Sequence, residues 1–306
     1  MQPITFTPIY KERIWGGRQL EETYHRTLPK SAVPFGEAWE IVDREDAQSI
    51  VSSGVFSGKS LHHLWKNHRE EIFGKDLPDS DRFPLLIKIL DCADDLSIQV
   101  HPPADVAEKL GGEPKTEMWY IADCKPGAKL YVGLKKGVTR ETFEQAIAKG
   151  TVADQVHAII PEKGQSIFIE SGRLHAIGAG FLIHEIQQNS DTTYRVFDWN
   201  RTDPEGKPRD LHVTQSLACI DFEDIEPEMD IPDGKTLATC PCFTTTLHHL
   251  APGEAIKNPN PDRFSLITIV EGSLENQYTT GQTVLLPVSS RPLAASGETT
   301  LLQIML

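Results

Sequence analysis

Four side chains of the types that bind divalent metals lie in strand-like stretches of this 306-residue chain: Gln99, His101, Glu117 and His175. Two imidazoles, a carboxylate and an amide oxygen make a mixed N/O set suited to Zn²⁺, Mn²⁺ or Fe²⁺. The first two belong to Leu96-Ser-Ile-Gln-Val-His-Pro-Pro103, which alternates apolar and polar residues with the period of a strand. Leu96, Ile98 and Val100 then share one face and Ser97, Gln99 and His101 the other. A polar face of this kind suits the inside of a small metal-holding barrel, although a half-exposed strand with its polar face in water has the same pattern. Eleven histidines also give many accidental combinations, and His175 taken alone fits a structural role equally well.

The elements that must position these residues are short strands punctuated by Gly and Pro. Pro84 to Leu90 reads as a strand whose apolar run is broken by Lys88, which must snorkel or face a wet cavity. Pro114 to Ala122 reads as another, with Lys115 and Glu117 on one face. Further strands are expected from Ser166 to about Phe197. Helices are expected from Ser60, as N-cap, to about Phe73, from Ala104 to Leu110, and from Thr139, as cap, through Lys149 with Phe143, Ala146 and Ile147 inward.

An internal echo links the two ends of the chain. Gly164-Gln-Ser-Ile-Phe-Ile-Glu170 resembles Gly281-Gln-Thr-Val-Leu-Leu-Pro287, and each has a further strand upstream, Met118 to Ala122 and Ser265 to Val270. Two copies of one β unit account for this, with the acidic, Pro-rich stretch from Pro227 to Pro232 as linker. Eleven residues beyond the glycine stands His175 in the first copy but Pro292 in the second. If one copy carries a metal, it is the first.

Composition narrows the functional classes. Hydrophobic residues make up 39% and charged residues 24%, as in soluble globular proteins, and no apolar run approaches the length of a membrane span. A formal charge of −14 argues against nucleic acid or an anionic membrane as partner, while local Lys and Arg can still bind a small anion. The N-terminus lacks a signal-peptide layout. Five cysteines without a CxxC pair read as reduced thiols, and a cytoplasmic location is expected.

Six motifs together resemble the type I phosphomannose isomerases of the short bacterial form. They are Trp15-Gly-Gly17, Gly36-Glu-Ala-Trp-Glu40, Ser97-Ile-Gln-Val-His-Pro102, Lys115-Thr-Glu117, Gly172-Arg-Leu-His-Ala176, and Glu185-Ile-Gln-Gln-Asn-Ser-Asp-Thr-Thr-Tyr-Arg195. The resemblance runs from about residue 4 to 216; the last ninety residues match in general character only, and the helical insertion of longer members is missing. It implies a mainly β fold of two cupin-type (double-stranded β-helix, jelly-roll) barrels with a few short helices. The expected domains are 1–228, with the metal, and 229–306, a smaller cupin-like domain without it.

The resemblance also assigns roles. Gln99, His101, Glu117 and His175 match the family's ligands for one Zn²⁺, with Mn²⁺ or another divalent ion as alternatives. Arg195 matches an active-site arginine, and Lys88, Lys115 and Glu185 match polar residues of the pocket. The implied reaction interconverts mannose 6-phosphate and fructose 6-phosphate by proton transfer between C2 and C1 through a cis-enediol. Glu185 ranks first as base, Lys115 and Arg195 supply positive charge, and Lys88, Ser97 and Arg201 are candidate substrate contacts. Glu185 paired with Arg195 or Lys115, and Arg195 paired with Asp191 or Asp198, are the structural alternatives. A cupin dioxygenase and a non-catalytic sugar-binding cupin are the rival functions.

Overall fold

The computed structural model describes residues 1–202 and 206–306. The chain forms two compact units: one of Met1–Tyr10, Ala38–Ile89 and Ile231–Leu306, the other of Lys11–Glu37 and Leu90–Asp230. Both are mainly β, in cupin-type jelly-roll sheets that remain open rather than closing by hydrogen bonds into complete barrels. None of the five cysteines forms a disulfide. Among the described residues no helix is long and apolar enough to cross a membrane.

The first unit is built on a seven-stranded sheet ordered Thr236–Thr239, Thr244–Leu250, Thr299–Met305, Ser265–Glu271, Thr283–Leu286, Ile4–Thr7 and Ile50–Val51. Its extent differs from the expected 229–306, because the N-terminal strand pairs Ile4 with Leu285 and Phe6 with Val51. Ser60 caps a helix over Leu61–Asn67 by accepting from the His63 N–H, and a π-helical turn over Arg69–Phe73 completes the expected span. Lys88 lies here, buried, with its ammonium 5.6 Å from the centroid of the Trp39 ring.

The second unit contains a five-stranded sheet ordered Val156–Ile159, Leu130–Leu134, His175–Ile177, Ile98–Val100 and Tyr194–Phe197. Alternation sorts its residues cleanly. Ile98, Val100, Leu174, Ala176, Tyr194 and Val196 face an apolar cluster that also holds Phe143 and Cys219 from two helices. The first of these helices, Arg140–Lys149, starts at a capping box between Thr139 and Thr142 and stops at left-handed Gly150, as expected. Leu130, Val132 and Ile177 face the opposite way, toward Trp119, Ile121, Ile167, Ile169, Phe181 and Ile183 of a second sheet. That sheet pairs Ser166–Ile169 with Glu117–Cys124 and Glu117–Cys124 with Phe181–Gln188. The space between the sheets is therefore apolar at one end. At the other, the same inward phase brings Glu117, Glu185, Gln99 and His175.

The echo is real to the hydrogen bond. The Gly164 N–H donates to the Ile121 carbonyl and the Ile121 N–H to the Gln165 carbonyl; Gly281 and Ile269, and Ile269 and Gln282, repeat the pattern. In both copies the Gln side chain folds back to accept from the backbone three residues earlier. Both glycines sit at positive φ, 91° and 85°, where a side chain would be strained.

Candidate metal centre

His101, Glu117 and His175 offer ligand atoms that all lie within 4.8 Å of one another, and each residue is buried. They converge from both sheets. Gln99 is the register partner of His175 and of Arg195, which puts these three on one face, and Glu117 rises from the opposing sheet.

The backbone sets the imidazole tautomers. His101 Nδ1 donates to the Thr192 carbonyl and His175 Nδ1 to the Arg173 carbonyl, both at 2.9 Å. Each ring therefore aims an Nε2 lone pair at the Glu117 carboxylate, 3.6 Å away for His101 and 3.7 Å for His175. Burial pushes both imidazoles down to about 4, reinforced by the Lys115 charge, so both are neutral near pH 7. Burial alone would raise Glu117, but the Lys115 ammonium holds it well below the usual carboxylate range.

This donor set fits a divalent cation. Glu117 Oε2 is buried without an aligned hydrogen bond, although the Lys115 ammonium forms an ion pair with it at 2.7 Å. The same ammonium lies 3.1 Å from His101 Nε2, so positive charge already collects among these lone pairs. The Gln99 amide faces His175 through Nε2 at 3.3 Å, and Ser97 Oγ donates to Gln99 Oε1 at 3.3 Å. A half-turn of that amide presents oxygen to the cluster and keeps the serine bond, because a hydroxyl also accepts.

Glu185 is buried beside this group. The Trp119 indole N–H lies 3.1 Å from Glu185 Oε2 and 3.1 Å from Glu117 Oε1. Trp119 lies outside the sequence motifs, although its place two residues after Glu117 on the same strand face marks it.

Arg195 extends from the strand next to Gln99 and donates through Nη1 to the Asp210 carbonyl at 2.9 Å, while its Nε is buried without a hydrogen-bond partner among the described residues. It pairs with neither Asp191 nor Asp198. Arg201 instead makes that pairing, reaching Asp198 at 2.6 Å and Asp94 at 3.4 Å. Arg209, which no sequence motif marks, grips Asp198 through Nε and Nη2 at 2.6 and 2.5 Å. Of the expected site residues, Gln99, His101, Lys115, Glu117, His175, Glu185 and Ser97 form one connected group. Arg195 borders it, Arg201 belongs to the Asp198 cluster, and Lys88 lies in the other unit.

Residues 4–127 match the family model for the catalytic domain of type I phosphomannose isomerase. The chain is 37% identical over 292 residues to mannose-6-phosphate isomerase ManA of Bacillus subtilis, covering 92% of this chain and 89% of that protein. It is 41% identical to the probable mannose-6-phosphate isomerase GmuF of the same organism, over 73% of this chain and 70% of that one. The crystal structure of the mannose 6-phosphate isomerase from Bacillus subtilis superposes with a TM-score of 0.88 at 30% identity over all of both chains. On sequence and fold together, the chain belongs to the type I phosphomannose isomerase family.

Proposed function

We propose that the protein interconverts mannose 6-phosphate and fructose 6-phosphate, with one Zn²⁺ held by Gln99, His101, Glu117 and His175. The observation that carries this reading is the convergence of three buried ligand-type side chains within 4.8 Å, beside a second buried carboxylate, in a member of this family. When bound, the metal supplies Lewis-acid polarisation of the sugar's oxygens.

The chain's own residues do the rest. Glu185 removes the proton from C2 of the open-chain aldose, leaving a cis-enediolate; passage of the O2–H proton to O1 and return of the first proton from Glu185 to C1 then give the ketose. The Trp119 N–H fixes one Glu185 oxygen. Glu117 is a poor base, since its charge is held by Lys115. Lys115 and Arg195 offset the negative charge of the enediolate or of the phosphate. Ser97 orients the Gln99 amide.

Metal-replete protein should form fructose 6-phosphate from mannose 6-phosphate in an enzyme-coupled assay without consuming oxygen. Absence of turnover with metal present, or turnover that requires O₂, contradicts the proposal.

A further inference from the structure

The two imidazoles of the metal group are held by unlike means. His175 Nδ1 donates to the carbonyl of Arg173, two residues earlier in the chain. His101 Nδ1 donates to the carbonyl of Thr192, ninety-one residues further on. The direction of the His101 ring is therefore only as fixed as the segment that carries Thr192.

Three hydrogen bonds that close into a ring fix that segment. The Glu113 N–H donates to Thr192 Oγ1 at 3.0 Å, the Thr192 N–H donates to Ser190 Oγ at 3.2 Å, and the Ser190 hydroxyl donates to the Glu113 carbonyl at 3.1 Å. Loop Ser and Thr hydroxyls ordinarily bond backbone close by. Here both reach across to one residue 79 and 77 positions away.

The ring is tied to the strand that delivers Glu117. Glu113 leads into Lys115 and Glu117, and Gln187 is the register partner of Glu117. Between them, the Thr116 N–H donates to Gln188 Oε1 at 2.9 Å and the Gln188 N–H to the Thr116 carbonyl at 3.1 Å. The Gln187 amide nitrogen holds the next turn by donating to the Gln188 and Ser190 carbonyls at 2.7 and 2.6 Å. Ser190 itself is buried.

We propose that Ser190 and Thr192 are positioning residues for the metal centre. Bound to Glu113, they lock the Thr192 carbonyl where it fixes the His101 tautomer and aims Nε2 at the ion, and they couple that aim to the placement of Glu117. The inference rests on the reading of His101 and Glu117 as metal ligands of an isomerase.

The test uses the full-length chain, stripped of metal and titrated with Zn²⁺ against a competing chelator. Thr192→Val keeps the side chain's shape and deletes Oγ1, while Ser190→Ala deletes the other hydroxyl. Each should weaken Zn²⁺ affinity by about 10- to 100-fold. Thr192→Ser, which returns the hydroxyl, should recover most of the loss. Ser265→Ala is the control for a merely structural role: this buried serine of the other unit bonds Asn258 and Gln303, so its loss should lower the melting temperature of the metal-free chain and leave Zn²⁺ affinity unchanged. In Co²⁺-loaded protein the d–d absorption should shift in Thr192→Val and not in Ser265→Ala.

The two variants break different bonds of the ring, so unchanged Zn²⁺ affinity in either one, whatever its melting temperature, overturns the assignment and leaves the isomerase reading intact. Zn²⁺ affinity that depends on both hydroxyls, in a chain whose metal-loaded parent shows no isomerase turnover, supports the assignment and overturns the isomerase reading.

Discussion

Glu117 and Glu185 share one hydrogen-bond donor: the Trp119 indole N–H lies 3.1 Å from an oxygen of each. The two carboxylates stand in unlike settings. Glu117 also faces an ammonium and two imidazole lone pairs, whereas Glu185 comes from the neighbouring strand, opposite Trp119 in the ladder. In the proposed reaction their tasks are separate, metal ligation for Glu117 and proton transfer for Glu185.

Glu185→Gln keeps the shape of the side chain and the Trp119 contact but removes the base. Turnover should fall by roughly 10²- to 10⁴-fold with metal stoichiometry unchanged. Glu117→Gln should lose the metal as well. Measuring kcat alongside metal content separates the two, and equal metal loss in both variants would contradict the division.

Trp119→Phe preserves the ring and deletes the shared donor. Two buried carboxylate oxygens then lose a hydrogen bond worth about 1.5–3 kcal/mol to a charged acceptor. The expected result is a fall in kcat with the metal retained, read from steady-state kinetics and metal analysis.

The motif glycines act through packing rather than chemistry. A Cβ on Gly16 would lie 2.4 Å from the Gly36 nitrogen and 2.5 Å from the Phe35 carbonyl carbon, backbone atoms that cannot rotate aside. Gly16→Ala should therefore cost about 1–3 kcal/mol in denaturant unfolding, as overpacked sites do. A stability within 0.5 kcal/mol of the parent, about the scatter of surface substitutions, would remove this explanation.

His184, on the face of its strand opposite Glu185, is buried against the Tyr24 hydroxyl at 2.8 Å, with its Nδ1 unpartnered among the described residues. Burial, aided by the charge of Arg26, pushes its imidazole down to about 3. The unfolded chain therefore binds a proton below about pH 6.5 that the folded chain refuses, and stability is lost as pH falls through that range. The cost is about 2 kcal/mol between pH 7 and 5. His184→Gln should flatten the acid limb of stability by that amount. His101 and His175 contribute equally to parent and variant, so the difference isolates His184. Buried Asp91, raised to about 6 by desolvation, opposes the trend in both proteins alike.

What was legible in the sequence was whatever local periodicity controls. Strand alternation set Ser97, Gln99 and His101 apart from Ile98 and Val100, and Lys115 beside Glu117, and the structure agrees at each position. Caps at Ser60 and Thr139 announced their helices, and the Gly164 and Gly281 turns match bond for bond. The six family motifs joined positions that no local pattern connects. What escaped was set by distant partners. Arg209 sits in a polar loop without periodicity, and its place emerges only through its pairing with Asp198. The N-terminal strand joins the C-terminal unit through the pairing of Ile4 with Leu285, across nearly the whole chain.

The most direct test of the central claim is metal content measured together with turnover on the same sample. Protein as purified should carry about one divalent ion per chain. Stripping by chelator should abolish conversion of mannose 6-phosphate, and returning the ion should restore it, while His101→Ala and His175→Ala should neither hold the ion nor turn over substrate. Full turnover by chelator-treated protein without metal, or one ion per chain retained in both histidine variants, would contradict the account.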